Sequence, residues 1–362
     1  MQFPKRLDRY IMKKFLVTFL VALLLIIGIV IIFDISEKID GFVSKHAPIK
    51  AIIFDYYLNF IPYFVNMFSP LFVFITVIFF TSRLTANSEF VAILSCGVNF
   101  HRIMVPYLVS ATVIAAASLA LNLWVIPSAN KTRLEFEQQY VKKKKQALNH
   151  DIHYKLEGET FVYVESFSPT TQTAYRFTLE DLSDYKMRSK LSAESASWDS
   201  LNQRWKLRGY TIREYGTGLT DKVRSGIEID TVLSLTVDDF YINKRTVQVL
   251  PLRDLRRLIQ VQTERGDKNV MFAEIELNER ISMPFSAFIL TILGVSLSTK
   301  KRRGGTGWNI ALGIGISFTY ILFQRFSQMF VFAGALPPAI AIWLPNIIFA
   351  VVAAIMYKIA PK

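Results

Sequence analysis

Long stretches without a single charge alternate along this chain with segments crowded with charge. Six uncharged stretches stand out, residues 15–33, 56–82, 103–130, 281–299, 304–324 and 339–357, of 19, 27, 28, 19, 21 and 19 residues. A helix needs about 20 mostly apolar residues to cross the hydrocarbon of a bilayer. Its backbone groups must then be satisfied within the segment. The pattern therefore predicts six membrane-spanning helices. The first is too rich in Leu, Ile and Val for a helix lying on the surface. It is also too long, and lacks the small-residue cleavage site, for a removed signal peptide, so it reads as a retained span. Pro106 falls in the first turn of the third span and Pro284 near the start of the fourth, while Pro70 inside the second predicts a kink. Gly334 with Pro337 and Pro338 predicts a tight turn between the last two spans.

Between the third and fourth spans the period changes to two. Residues 160–164, 174–179, 205–213 and 227–237 read as strands, with turn chemistry at 199–202 and 216–218. Short strands at regular spacing suggest an inserted all-β domain, a jelly-roll-like β sandwich. Arg133 to Gln146 reads as a helical extension of the third span. Leu252 to Gly266 reads as a short amphipathic interfacial helix capped by Gly266. The expected fold class is membrane α-helical, with three plus three spans around the β domain. Residues 1–130 would hold the first three helices and a cytoplasmic loop at 83–102, residues 131–250 the β domain, and residues 251–362 the interfacial helix and the last three spans.

Composition agrees with this picture, and charge orients it. Of the 362 residues, 52% are hydrophobic and 20% charged, and the net charge is +13. A basic excess of that size ordinarily suggests nucleic acid. Here +11 of it lies in four places, residues 1–14, residues 83–102, Lys300 to Arg303, and Lys358 with Lys362. All four fall on one side of a six-span topology, and residues 131–250 are nearly neutral. The excess of Lys and Arg on the cytoplasmic side then places both termini in the cytoplasm and the β domain outside. No nucleic-acid partner is expected.

The candidate chemistry is that of binding. Cys96 is the single cysteine, which excludes a disulfide framework and reads as a reduced packing residue. His46, His101, His150 and His153 form no zinc motif, and no catalytic constellation is recognisable. No Gly-Lys pair exists for a phosphate-binding loop, and Gly304 to Gly307 reads as a flexible turn. In the 83–102 loop, Ser88 reads as a helix cap, Glu89 as a first-turn acid and Gly97 as the stop. Such a short helix suits a groove on a partner, although a self-satisfied surface helix fits the same spacing. Arg325 is a charge at the outer end of a span. Gly313, Gly315 and Ser317 allow close helix approach. Lys142 to Lys145 reads as a solvated face. Phe161, Tyr163, Tyr175, Phe177 and Trp205 read as inward aromatics of the β domain.

Local motifs in both membrane halves carry a resemblance. They are Leu7-Asp8-Arg9-Tyr10 before the first span, and Ile61-Pro62 with Ser69-Pro70-Leu71 in the second. The stretch from Ser88 through Glu89 and Ala92 to Gly97-Val98 forms the cytoplasmic loop, and Trp124-Val125-Ile126-Pro127 with Asn130 ends the third span. Leu336-Pro337-Pro338 and Trp343-Leu344-Pro345-Asn346 mark the last. Together they resemble the lipopolysaccharide export permease family LptF/LptG, nearer LptG, over about two thirds of the chain; in the β domain only the strand pattern matches.

The resemblance implies a permease subunit in a bacterial inner membrane that extracts lipopolysaccharide. It implies an LptF-like paired permease, an LptB-like ATPase dimer and LptC/LptA-like periplasmic bridge proteins as partners. This chain would carry no cofactor, with ATP and Mg bound by the ATPase. Arg83, Ser88, Glu89, Ala92 and Gly97 would meet that ATPase. Ile26, Ile29, Gly313 and Ser317, with Lys38, Lys45 and Arg325, would meet the lipid. Phe161, Tyr163, Phe177 and Trp205 would line a slide for acyl chains. The chain departs from some members in carrying Asp34 and Glu37, where those have basic residues at the end of the first span. A permease for another lipid or for lipoproteins, and a membrane scaffold or sensor that transports nothing, remain alternatives.

Overall fold

The computed structural model describes residues 6–141, 150–156, 158–183, 186–200, 202–216, 221–237, 240, 244–267, 269–299 and 305–360. The runs Lys142–Lys145 and Lys300–Arg303, with Gly304, Lys362 and parts of the turns expected at 199–202 and 216–218, lie outside these residues. In chain order the helices before the sheet are α1 (Arg6–Ser44), α2 (Ile49–Ala86), α3 (Glu89–Ser95) and α4 (Phe100–Tyr140). After it come α5 (Lys244–Gln248), α6 (Leu252–Glu264), α7 (Val270–Ser298), α8 (Gly305–Phe332) and α9 (Pro338–Ile359). Among the described residues six helices, α1, α2, α4, α7, α8 and α9, are long and apolar enough to cross a membrane. Each extends past the uncharged stretch that predicts it at one end or at both. The chain is a helical membrane protein with an inserted β domain.

Residues 1–141, 248–252 and 274–362 form one compact unit, and residues 142–247 with 253–273 the other. The first boundary lies beyond residue 130, because α4 runs unbroken to Tyr140.

Within the membrane unit, α2 packs against α1, α4 and α8, and also touches α7. Side-chain hydrogen bonds fix these contacts. Thr81 and Tyr107 hydroxyls join α2 to α4 (2.9 Å), Thr85 donates to the Ser298 carbonyl of α7 (3.0 Å), and Asn309 of α8 donates to Ser82 (3.0 Å). The Tyr320 hydroxyl of α8 donates to Asn346 of α9, whose amide donates to the Ser282 carbonyl of α7, both at 2.8 Å. A π turn at Leu121–Val125 carries Asn122. Asn122 accepts from Asn66 (2.7 Å), and Asn66 in turn accepts from Ser118 (2.6 Å). In an apolar surround such pairs locate one helix against another.

The β unit differs from the two-layer jelly roll that the spacing suggests. Its strands are β1 (His150–Lys155), β2 (Thr160–Ser168), β3 (Thr173–Ser183), β4 (Lys186–Asp199), β5 (Arg204–Glu214) and β6 (Lys222–Thr231). Among the described residues they form one antiparallel sheet in sequential order. The expected strand over 227–237 instead begins earlier and ends at Thr231. Leu235, Val237 and Phe240 then cover the apolar face of the sheet, where Phe240 stacks on Phe167 with ring centroids 4.5 Å apart. The Trp205 indole donates to the Leu235 carbonyl (2.8 Å). A single apolar sheet face needs such a cover, and this segment supplies it.

Strict alternation also fails at one level of the sheet. Buried positions step by three at Val164–Phe167, Ala174–Phe177 and Ala193–Ala196. The pairing keeps Val164, Phe177 and Ala193 in one row and Phe167, Ala174 and Ala196 in the next. Between the rows Asp151, Arg176 and Gly209, on alternate strands, take φ of 58°, 50° and 61°. Each left-handed residue resets the side-chain parity, so one face stays apolar on both sides of the crease. A Cβ on Gly209 would stand 2.9 Å from the Glu194 side chain. Gly209→Val combines that contact with a left-handed φ and is expected to cost about 2 kcal/mol, read as a lower unfolding midpoint of the β unit by tryptophan fluorescence.

Candidate functional site

The loop between α2 and α4 is built around α3. Ser88 takes φ 61° and makes no side-chain cap, which corrects the expected capping role; its carbonyl instead accepts from the Ala92 amide (2.9 Å). Glu89 occupies the first turn, exposed, and accepts from Asn87 Nδ2 (3.1 Å). Gly97 takes φ 79° and its amide donates to the Leu94 carbonyl (2.9 Å), the expected stop. Phe90 is 1% exposed and its ring meets Phe100 at 6.4 Å, so α3 is seated by one aromatic while Glu89, Val91 and Ala92 face outward. Arg83 is exposed in the last turn of α2, and Cys96 is exposed beside Gly97.

A pair that no spacing in the sequence reveals completes this end. Asp8, at the start of α1, is 2% exposed. It accepts from both terminal nitrogens of Arg102, in the first turn of α4, at 2.8 and 2.6 Å. The neighbouring His101 hydrogen-bonds Tyr357 of α9. The motif around Asp8 is visible in the sequence, but its partner lies 94 residues away.

At the other end of α1, Lys38 sits in a cluster. It pairs with Asp34 (2.7 Å), lies 3.9 Å from Glu137 and 4.7 Å above the Tyr56 ring, and hydrogen-bonds the Tyr56 hydroxyl. Asp34 also accepts from Tyr57 (3.2 Å). The Lys38 amine and Asp34 thus satisfy one another, with Glu137 close by, while Glu37 of the same helix is exposed. Lys45 donates to the Gln139 carbonyl (3.0 Å).

The remaining lipid candidates divide. Ile29 is exposed, as are Leu24, Leu25, Ile32 and Phe33 of the same helix, while Ile26 packs partly into the core. On α8, Ile314, Phe318, Leu322 and Phe326 recur every four residues as one exposed apolar stripe, with Arg325 exposed beside it. Gly313 and Ser317 lie off that stripe. A Cβ on Gly313 would meet Ile78 at 2.5 Å, and Ser317 is buried, so both serve the packing of α8. A small cavity of about 70 Å³ opens between α2, α4, α7 and α8, lined by Asn66, Asn130, Glu276, Arg280 and Arg325 among others. Arg280 is buried there and donates to Glu276 (2.8 Å) and to the Leu250 carbonyl (2.9 Å).

The structure does not bring the four aromatic slide candidates together. Phe177 and Trp205 are fully buried on the covered face. Phe161 and Tyr163 alternate with Val162 and Val164 and so occupy the opposite face. The Tyr163 ring packs on His153 at 4.7 Å, and its hydroxyl donates to Asp151 (2.8 Å), which raises its pKa above the ordinary tyrosine value. Among the described residues no cluster of His, Cys, Asp and Glu is arranged to hold a metal.

The model of the family described as "Lipopolysaccharide export system permease LptF/LptG" matches residues 9–359. A comparison with curated proteins returned no match. The span of the family match includes all six long helices and the sheet. The Lys38 cluster gives a test within that span. Lys38→Ala removes the cation of Asp34 in a largely buried site and leaves it only the tyrosine hydroxyls, and is expected to destabilise the membrane unit by about 3 kcal/mol, seen as a lower thermal midpoint in detergent. An unchanged midpoint would mean that the cluster holds nothing together.

Proposed function

The chain belongs to the lipopolysaccharide export permease family LptF/LptG, and we propose that it is the LptG-like subunit of an ATP-driven exporter. In this reading it pairs with an LptF-like permease and docks an LptB-like ATPase dimer, which binds ATP and Mg. It delivers lipopolysaccharide to LptC/LptA-like bridge proteins in the periplasm. The charge bias of the loops supports cytoplasmic termini and a periplasmic β domain. The motif around Trp343 supports the LptG-like assignment.

The observation that carries the proposal is the form of α3. It is a short helix with Phe90 buried in the core, Ile93 and Leu94 packed partly against it, and an outward face led by Glu89. A partner that changes shape on ATP hydrolysis can push such a helix without unfolding it. Arg83 flanks the same loop.

The substrate is a lipid with several acyl chains and an anionic headgroup. The exposed apolar faces of α1 and α8 offer walls for the chains. Arg325, beside the α8 stripe, offers a cation at headgroup depth. Lys45 lies at the end of the same α1 wall, and Lys38 would have to leave Asp34 to join it. In the β domain, acyl chains would travel over Phe177 and Trp205 only where the segment bearing Leu235 and Phe240 withdraws.

Glu89→Ala is expected to lower both co-purification of the ATPase and lipopolysaccharide release by about tenfold, with the permease still present in the membrane. Undiminished co-purification and release in that variant would remove the docking role.

A further inference from the structure

The Asp8–Arg102 pair joins the helix that bears the apolar wall to the helix that follows the cytoplasmic loop. Its geometry is a fork. Both carboxylate oxygens of Asp8 accept, from two different guanidinium nitrogens, at 2.8 and 2.6 Å. Such a bidentate contact fixes direction as well as distance, which a single point contact does not. Asp8 is nearly inaccessible, and a buried carboxylate holds firmly to its cation.

The surroundings make the fork a junction. Asn99 caps α4 by accepting from the His101 amide (3.0 Å), so the turn that carries Arg102 is held as helix. His101 and Phe100 both meet Tyr357 of α9. Phe100 also meets Phe90, the anchor of α3. On the other side of the fork, Ile11, Phe15, Phe19 and Leu23 of α1 continue into the same core cluster as Phe90 and Phe100. Beyond Leu23 the faces of α1 at Leu24, Leu25, Ile32 and Phe33 are exposed. The helix is therefore tied by the fork at its N-terminal end, packs one face in the core, and exposes another apolar face from Val17 to Phe33.

We infer that the Asp8–Arg102 ion pair is the tie through which displacement of α3 moves α1. Both residues are positioning residues. Neither needs to touch ATPase or lipid; Arg102 follows α3, and Asp8 turns that movement into a shift of the α1 wall. The inference rests on the proposed docking of α3 on an ATPase. Without the tie, the aromatic contacts remain but slide, because apolar contacts have no preferred direction.

The test uses the full complex in nanodiscs, with a nitroxide on the native Cys96 and a second at Lys13→Cys. Both positions are exposed. Arg102→Ala removes the fork. Asp8→Asn with Arg102→Gln keeps the volumes if the bare carboxylate disturbs folding, and Asp8→Arg with Arg102→Asp reverses the charges. The expected result is that ATP hydrolysis persists while lipopolysaccharide release falls about tenfold in the first two variants, and the reversal recovers most of it. The spin pair keeps one distance across nucleotide states in the wild type and separates in Arg102→Ala. Wild-type release and an unchanged spin distance in Arg102→Ala would overturn the inference. A wild type that hydrolyses ATP and releases no lipopolysaccharide would instead refute the proposed cargo, and the spin distances would still decide the tie.

Discussion

A polar group placed in hydrocarbon without a partner costs several kcal/mol, and the arrangement of the membrane unit follows from that cost. The apolar side chains of six long helices would pack against lipid nearly as well as against one another. What selects one arrangement is the set of polar residues that must find partners. Asn66, Thr81, Ser82 and Thr85 are all on α2, and each is satisfied by, or satisfies, a residue of a different helix. That helix becomes the hub. Close approach reinforces it, since Ile78 and Val77 fit against Gly313 and Gly294.

The same cost explains why α1 carries polar ties at its two ends and, between them, packs one apolar face in the core and exposes another. Asp8 with Arg102 satisfies the N-terminal end, and Asp34 with Lys38 and two tyrosines the C-terminal part. From Phe15 to Phe33 the helix carries no charge, so hydrocarbon can cover its exposed face. A transporter for a lipid needs such a wall, fixed at its ends and open to hydrocarbon along its length.

The spans were legible because charge is excluded from hydrocarbon over about 20 residues, a signal too long to arise from local chance. Gly97 and Gly266 were legible because a helix stop needs a left-handed residue. The sheet was less so. Its crease uses Asp151 and Arg176 in left-handed conformations, residue types that announce no such role, and so Phe161 and Tyr163 look inward when counted in twos. Strand β4 escaped notice because its sequence is rich in Ser, Ala and Lys. Ala193 and Ala196 face a core already filled by Phe177 and Trp205, which leaves room only for small side chains. Arg102 was invisible as a partner of Asp8, and Lys38 as a partner of Glu137, because contacts between helices leave no spacing to read; Asp34 and Lys38, four residues apart on α1, do stand at a readable spacing. Ser88 looked like a cap by composition, yet its left-handed backbone turns the hydroxyl away from that role.

Export of lipopolysaccharide is tested most directly in the cell that makes this protein. The protein is depleted, the inner and outer membranes are separated, and newly made lipopolysaccharide is measured in each. The account predicts that it accumulates in the inner membrane as the protein disappears, and that arrival at the outer membrane stops. Continued arrival at the normal rate, with nothing retained, would contradict it.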